Sequence, residues 1–177
     1  MKWSNKKTIQ VLVDIIIMVF LVALDQITKY LAIVNLKDQP AFVLMEDVFE
    51  LHYLENRGEA FGMLQNQKVL FVIISIVMLF VIGYLIVKFP EQGFRELEIT
   101  LVFISAGAVG NLIDRIRFDY VVDFFYFKLI DFPIFNMADI YVSVCCVVLI
   151  LLLLFVYKED DFDFLNKKKN QKLEENQ

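Results

Sequence analysis

Two cysteines are all that this 177-residue chain contains, and they are neighbours, Cys145 and Cys146. Adjacent side chains on a helix point about 100° apart, so no ordinary structural disulfide can join them, and both are expected to act as small apolar residues. Histidine is scarcer still. His52 has no second histidine with which to build a metal site, and it is read as a strand-surface residue. No serine or cysteine is set convincingly beside a base, which leaves the chain without the usual covalent nucleophiles. A cleavable leader is lacking too: the apolar run from Ile9 is too long for a signal-peptide core and no small-residue cleavage site follows it, so it reads as a retained first span. The stretch 69–87 has no charge at all and is expected to be scaffold.

What the chain does have is apolar bulk. Hydrophobic residues make up 59%, eighteen of them phenylalanine, and the mean hydropathy is +0.62. A soluble domain of this size could not hide that much, so an integral membrane protein follows. Spans are expected at about 9–36, 69–87, 99–113 and 136–156, each a run that could cross or nearly cross a hydrocarbon core about 30 Å thick. Between the first two, Val48-Phe49-Glu50-Leu51-His52-Tyr53-Leu54 alternates with the period of a half-buried strand, which predicts a small sheet within 40–62. The aromatic, β-branched stretch 118–130 is too short to span and fits a strand or a partly buried connector. The fold class is therefore an all-α membrane protein of four helices with a small sheet outside the bilayer. One membrane domain covers 1–157, and a charged, solvated tail covers 158–177.

Acids at membrane depth are the exception to this pattern. A charge at the centre of a membrane helix costs roughly 2.5–3.5 kcal/mol on insertion scales, so an intramembrane acid is a candidate functional group. Asp123 and Asp139 flank Pro133, which cannot sit inside a helix, so they stand on separate segments and can meet only through folding. Asn136 and Asp139 share the first turn of the last helix, where capping by Asn136 is expected. Asn111, Asp114 and Arg115 share one face near the end of the third, with Asp114 placed to hold Arg115. Asp25 and Lys29 are four apart, and two readings stand: a simple ion pair along the helix, or a pair facing a polar cavity.

Orientation follows from the basic residues. With four spans, the side holding both ends collects ten, namely Lys2, Lys6, Lys7, Lys88, Arg95, Lys158 and four tail lysines. The other side has six, Lys37, Arg57, Lys68, Arg115, Arg117 and Lys128. The positive-inside rule then puts both termini in the cytoplasm, and Asp25, Asn56, Asn111, Asp114, Asp123, Asn136 and Asp139 all fall near the outer face.

Two carboxylates in a poorly hydrated place cannot both ionise easily, and they come to share a proton. That is the state aspartic peptide hydrolysis needs, with one carboxylate taking a proton from water while its protonated partner polarises the scissile carbonyl. A small proton- or cation-coupled transporter could use the same acids. Transport predicts polar residues along a whole path, however, and the second span is apolar throughout.

Five motifs carry a resemblance: Asp25-Gln26-Ile27-Thr28-Lys29, Asn56-Arg57-Gly58-Glu59-Ala60-Phe61-Gly62, Gly107-Ala108-Val109-Gly110-Asn111-Leu112-Ile113-Asp114-Arg115, Val122-Asp123-Phe124 and Phe135-Asn136-Met137-Ala138-Asp139. In order and spacing the chain resembles the bacterial lipoprotein signal peptidases, signal peptidase II, over roughly residues 9–157. The resemblance implies an aspartic endopeptidase of the bacterial cell membrane that cleaves prolipoproteins before a diacylglyceryl-modified cysteine. It implies Asp123 and Asp139 as the catalytic pair, with Asn56, Gly58, Asn111, Arg115 and Asn136 around the site and Asp25, Lys29 and Asp114 in supporting contacts. It further implies that the sheet rests on the membrane surface and cradles the substrate. No cofactor, metal or nucleic acid is expected; membrane lipid and lipidated substrate are the expected partners of a monomer. Glu59 departs from the family, which commonly has a small apolar residue there.

Overall fold

The computed structural model describes residues 4–58 and 68–165. Helix α1 runs Asn5–Leu36, strands β1 and β2 are Phe42–Met45 and Phe49–Asn56, α2 is Lys68–Lys88, α3 is Arg95–Phe118, β3 is Val121–Tyr126 and α4 is Met137–Phe155. Short 3-10 turns lie at Lys128–Ile130 and Glu159–Leu165. The basic start with Trp3, residues 59–62 of the glycine-containing turn, and the tail beyond residue 165 lie outside the described residues.

All four helices are long and apolar enough to cross a membrane, α3 being the most enclosed and α2 the least. The expected third span, 99–113, falls short at both ends of α3 because charges there were read as water-facing. Glu98, 2% exposed, is held by Lys7 and Arg95, while Asp114, 1% exposed, is held by Lys29. A paired charge can remain inside a bundle, so the helix continues through it. Asp119 then ends α3 in the left-handed conformation, φ 69°, and the chain enters β3 two residues later.

Within lipid, helices gain little from hiding apolar surface, and small residues that let backbones approach carry the association. A Cβ built on Gly107 would stand 2.5 Å from the carbonyl oxygen of Ala138, and one on Gly110 would run into Asp25 Oδ2. These two glycines let α3 lie directly against α4 and α1.

The sheet has the order β1-β2-β3, antiparallel throughout, with Leu54 opposite Asp123 and Asn56 opposite Val121. The segment that could have been a strand or a connector is thus the third strand. His52 is exposed on β2 with its ring against Tyr126. Ala32, Val122 and Phe124 form the apolar seam under the sheet. At the opposite end of the bundle, Phe89, Phe94, Leu97, Cys145 and Tyr157 pack together, and Phe162 and Phe164 lie against them. The start of the acidic segment after Tyr157 is therefore folded onto the bundle by its phenylalanines, where a solvated tail was expected.

Candidate functional site

Asp123 projects from β3 and is 1% exposed. Each of its oxygens accepts one amide: Oδ1 from Asn136 Nδ2 at 2.6 Å, Oδ2 from Asn56 Nδ2 at 2.7 Å. Asp139, in the first turn of α4, is served in the same way. Its Oδ1 accepts Asn111 Nδ2 at 2.8 Å and its Oδ2 accepts the backbone N–H of Asn136 at 3.1 Å. Asn136 also caps α4 by accepting the N–H of Asp139 at 3.0 Å. The expected cap is present, and the capping box does something further, because the capping residue itself bonds to both acids.

Burial pushes the Asp123 carboxyl up to about 7, and the nearby Asp139 charge adds to the rise. Hydrogen bonds from Asn56 and Asn136, and the charge of Lys29, act the other way. These are the conditions under which two acids hold one proton between them.

Behind the pair lies a second layer of charge. Lys29 Nζ is 3.0 Å from Asp25 Oδ2, 3.0 Å from Asp114 Oδ2 and 2.9 Å from Asn111 Oδ1. Asp114 Oδ2 accepts the N–H of Val122, and Asp25 Oδ1 accepts the N–H of Ala138, each at 3.0 Å. Val122 and Ala138 are the residues immediately before Asp123 and Asp139. The supporting layer thus holds the backbone on which each acid stands. Of the two readings of Asp25 and Lys29, the ion pair is present, and it faces a polar cluster between α1 and α3.

Arg115 differs from expectation. Neighbouring residues on a helix diverge by about 100°, so Asp114 turns toward α1 while Arg115 turns toward α2. There its guanidinium stands 5.0 Å over the ring of Phe71, and its Nη1 donates to the carbonyl of Asn111 at 3.3 Å. Gly58 takes φ +94°, which favours glycine, and donates its N–H to Asn56 Oδ1 at 2.8 Å, fixing the amide that bonds Asp123. The structure thus gathers Asn56, Gly58, Asn111, Arg115, Asn136, Asp123 and Asp139 at one end of the bundle, with Asp25, Lys29 and Asp114 behind them.

Sequence reasoning passed over two groups. Gln26 Nε2 lies 3.0 Å from Asp114 Oδ1 and 3.2 Å from Asp25 Oδ2, joining the two supporting acids. An amide beside an acid within an apolar span was the available signal. At the far end, Lys7, Asp14, Arg95 and Glu98 form a buried ion cluster, with Arg95 Nη2 2.7 Å from Asp14 Oδ1. Leu21, Ala106 and Tyr141 form an apolar layer between the two polar ends.

Four apolar helices with buried charges gathered at the two ends of the bundle, the acid pair at one of them, define a multi-pass membrane protein. Comparison with known proteins gives the family. The model of Signal peptidase (SPase) II matches residues 17–155. The lipoprotein signal peptidase of Caldanaerobacter subterraneus subsp. tengcongensis is 45% identical over 142 residues, covering 80% of this chain and 95% of that protein. That of Clostridium tetani is 41% identical over 154 residues, covering 85% and 96%. A bacterial membrane enzyme solved by the in meso method superposes with a TM-score of 0.72 at 32% identity, covering 82% of this chain and 94% of that one. The chain belongs to the signal peptidase II family and is a membrane peptidase.

Proposed function

We propose that the protein removes signal peptides from prolipoproteins, cutting before the diacylglyceryl-modified cysteine, with Asp123 and Asp139 as its acid-base pair. The observation that carries this reading is Asn136, whose side chain bonds Asp123 and whose backbone bonds Asp139. Two acids from separate elements are thereby held to one residue, in a place where burial favours a shared proton.

In the proposed reaction the ionised carboxylate takes a proton from water, and the water oxygen attacks the scissile carbonyl carbon. The protonated partner, assigned to Asp123 from its raised pKa, gives its proton to the carbonyl oxygen. On collapse of the tetrahedral species one of its hydroxyls returns a proton to the now ionised Asp123, the C–N bond breaks, and the amine of the lipidated cysteine leaves with the proton that Asp139 took from water, which restores the pair. The fixed amides of Asn56, Asn111 and Asn136 cannot exchange protons at these pH values, so they orient the acids without competing with them. Acyl chains can remain in the bilayer while the cysteine presents its peptide bond, so the membrane supplies part of the positioning. The count of basic residues supports a site near the outer face with both termini in the cytoplasm. The apolar layer of Leu21, Ala106 and Tyr141 supports hydrolysis over transport, which needs a polar path through the bundle.

The test is cleavage of a diacylated prolipoprotein peptide in detergent by wild type, Asp123→Asn and Asp139→Asn. Wild type is expected to cut only the lipidated peptide and either variant to lose more than about 10³-fold, the scale of removing a catalytic acid or base. Substantial turnover by either purified, folded variant would sink the pair.

A further inference from the structure

Beside the acid pair lies a cavity of about 120 Å³ whose walls include Asn56, Arg57, Phe71, Arg115, Asp119 and Tyr120. Two guanidinium groups line it, each seated over an aromatic ring: Arg57 is 5.5 Å above Tyr120 and Arg115 is 5.0 Å above Phe71. Such seating fixes a guanidinium in place and leaves its edge free to donate. From the geometry we infer that this cavity is a subsite for a carboxylate on the substrate, an acidic side chain a few residues after the cleavage point, read by Arg57 with Arg115. The inference rests on the proposed cleavage reaction.

The charges around the cavity support it. Glu55 approaches Arg57 only at 3.5 Å and is engaged more closely by Lys37, at 2.9 Å. The Lys37 hydrogen bond holds the Glu55 carboxyl below its ordinary range, so that charge is already matched. Asp119 is the one carboxylate among the described lining residues, and it is exposed to water. Among the described lining residues two cations thus accompany one water-exposed carboxylate, and an incoming carboxylate meets fork-shaped donors.

Position along the substrate follows from the fold. A second groove, with Gly107, Ala108, Ser75, Val142 and Ser143 along its floor and walls, runs down the helices from Asp139. It is suited to a membrane-buried segment, which here is the part before the cut. The arginine-lined cavity is built from the end of β2, the first turn of α2 and the residues closing α3, at the sheet end of the bundle, where the chain after the cut emerges; Phe71 and Arg115 line both it and the groove.

The test uses three diacylated peptides that differ only in carrying Asp, Asn or Lys, scanned over the second to fourth residues after the cut. With wild type, kcat/KM is expected to rank Asp above Asn above Lys at one of these positions, with roughly a fivefold to thirtyfold spread that shrinks as salt is raised. Arg57→Glu is expected to reverse the order, and Arg57→Gln to flatten it, which guards against a charge-reversed variant that fails to fold. Equal rates for all three peptides at every position, or an order unchanged in Arg57→Glu and Arg57→Gln, would overturn the subsite while leaving the protease reading intact. Failure to cut even the Asn peptide would instead remove the cleavage reaction itself, and the subsite with it.

Discussion

Lys29 Nζ lies 3.0 Å from Asp114 Oδ2, the same oxygen that accepts the N–H of Val122. Lys29 holds Asp25 Oδ2 at the same distance, and the other oxygen of Asp25 accepts the N–H of Ala138. One buried cation therefore bridges the two carboxylates that grip the backbone directly before Asp123 and directly before Asp139. The strand that carries Asp123 and the helix that carries Asp139 are thereby tied to the same side chain of α1.

Lys29→Met should accordingly be severe. It leaves Asp25 and Asp114 buried without their cation, and breaking a buried pair costs about 3–5 kcal/mol. Denaturant unfolding in detergent is the measurement. A loss below about 1 kcal/mol, the range of exposed pairs, would mean that the cluster contributes little.

Glycines separate along the bundle. Gly110→Ala drives a methyl group onto Asp25 Oδ2 and Gly107→Ala drives one onto the Ala138 backbone, whereas Gly83→Ala meets nothing within 4 Å. The first two should lower the melting temperature and activity, by about 1–3 kcal/mol for overpacking. Gly83→Ala should be neutral or slightly stabilising, through helix propensity worth up to about 1 kcal/mol. Equal melting temperatures for all three would contradict the close approach of α3 to its neighbours.

Acid–base behaviour follows from Asp123. Its carboxyl is raised from 3.8 to about 7, so the folded protein binds that proton more tightly than the unfolded chain does. The corresponding stability is full below the unfolded value and is lost as pH rises through about 7. Melting temperature should therefore decline between these limits in wild type, and the decline should be smaller in Asp123→Asn. In the proposed reaction kcat/KM should fall above the same pH as the shared proton leaves. A melting temperature that holds level between these limits would contradict the first expectation, and an alkaline limb absent up to pH 9 the second.

Chelators should leave activity unchanged. All four oxygens of Asp123 and Asp139 accept amide N–H groups, a donor set that suits carboxylates bound to amides and not to a cation. Rates with and without EDTA are compared, and inhibition that is reversed by added divalent metal would count against the amide-held pair.

Burial of Phe162 and Phe164 against Phe94 gives the last expectation. Replacing both with alanine should destabilise the bundle by roughly 1–3 kcal/mol while the dyad geometry is kept, with some loss of the 1.5–3 kcal/mol typical of each buried phenylalanine because both are only half covered. Unchanged unfolding would show that the segment merely rests there.

Membrane class, the four spans, the strand at Phe49–Leu54 and the acids themselves were legible in the sequence. Each depends on local composition or on a repeat of two or about 3.6 residues, and such signals survive without knowledge of distant partners. Asn136 as a cap was legible for the same reason, since it and Asp139 lie within one turn. The length of α3 was not, because whether Glu98 and Asp114 end a helix or lie inside a bundle depends on Lys7 and Lys29, 91 and 85 positions away. Nor was the direction of Arg115, which depends on where Phe71 stands. Above all, only the tertiary structure decided that Asp25 and Asp114 act on the backbone before each acid: those hydrogen bonds join separate elements, and a one-dimensional pattern does not contain the packing that brings their atoms within 3 Å.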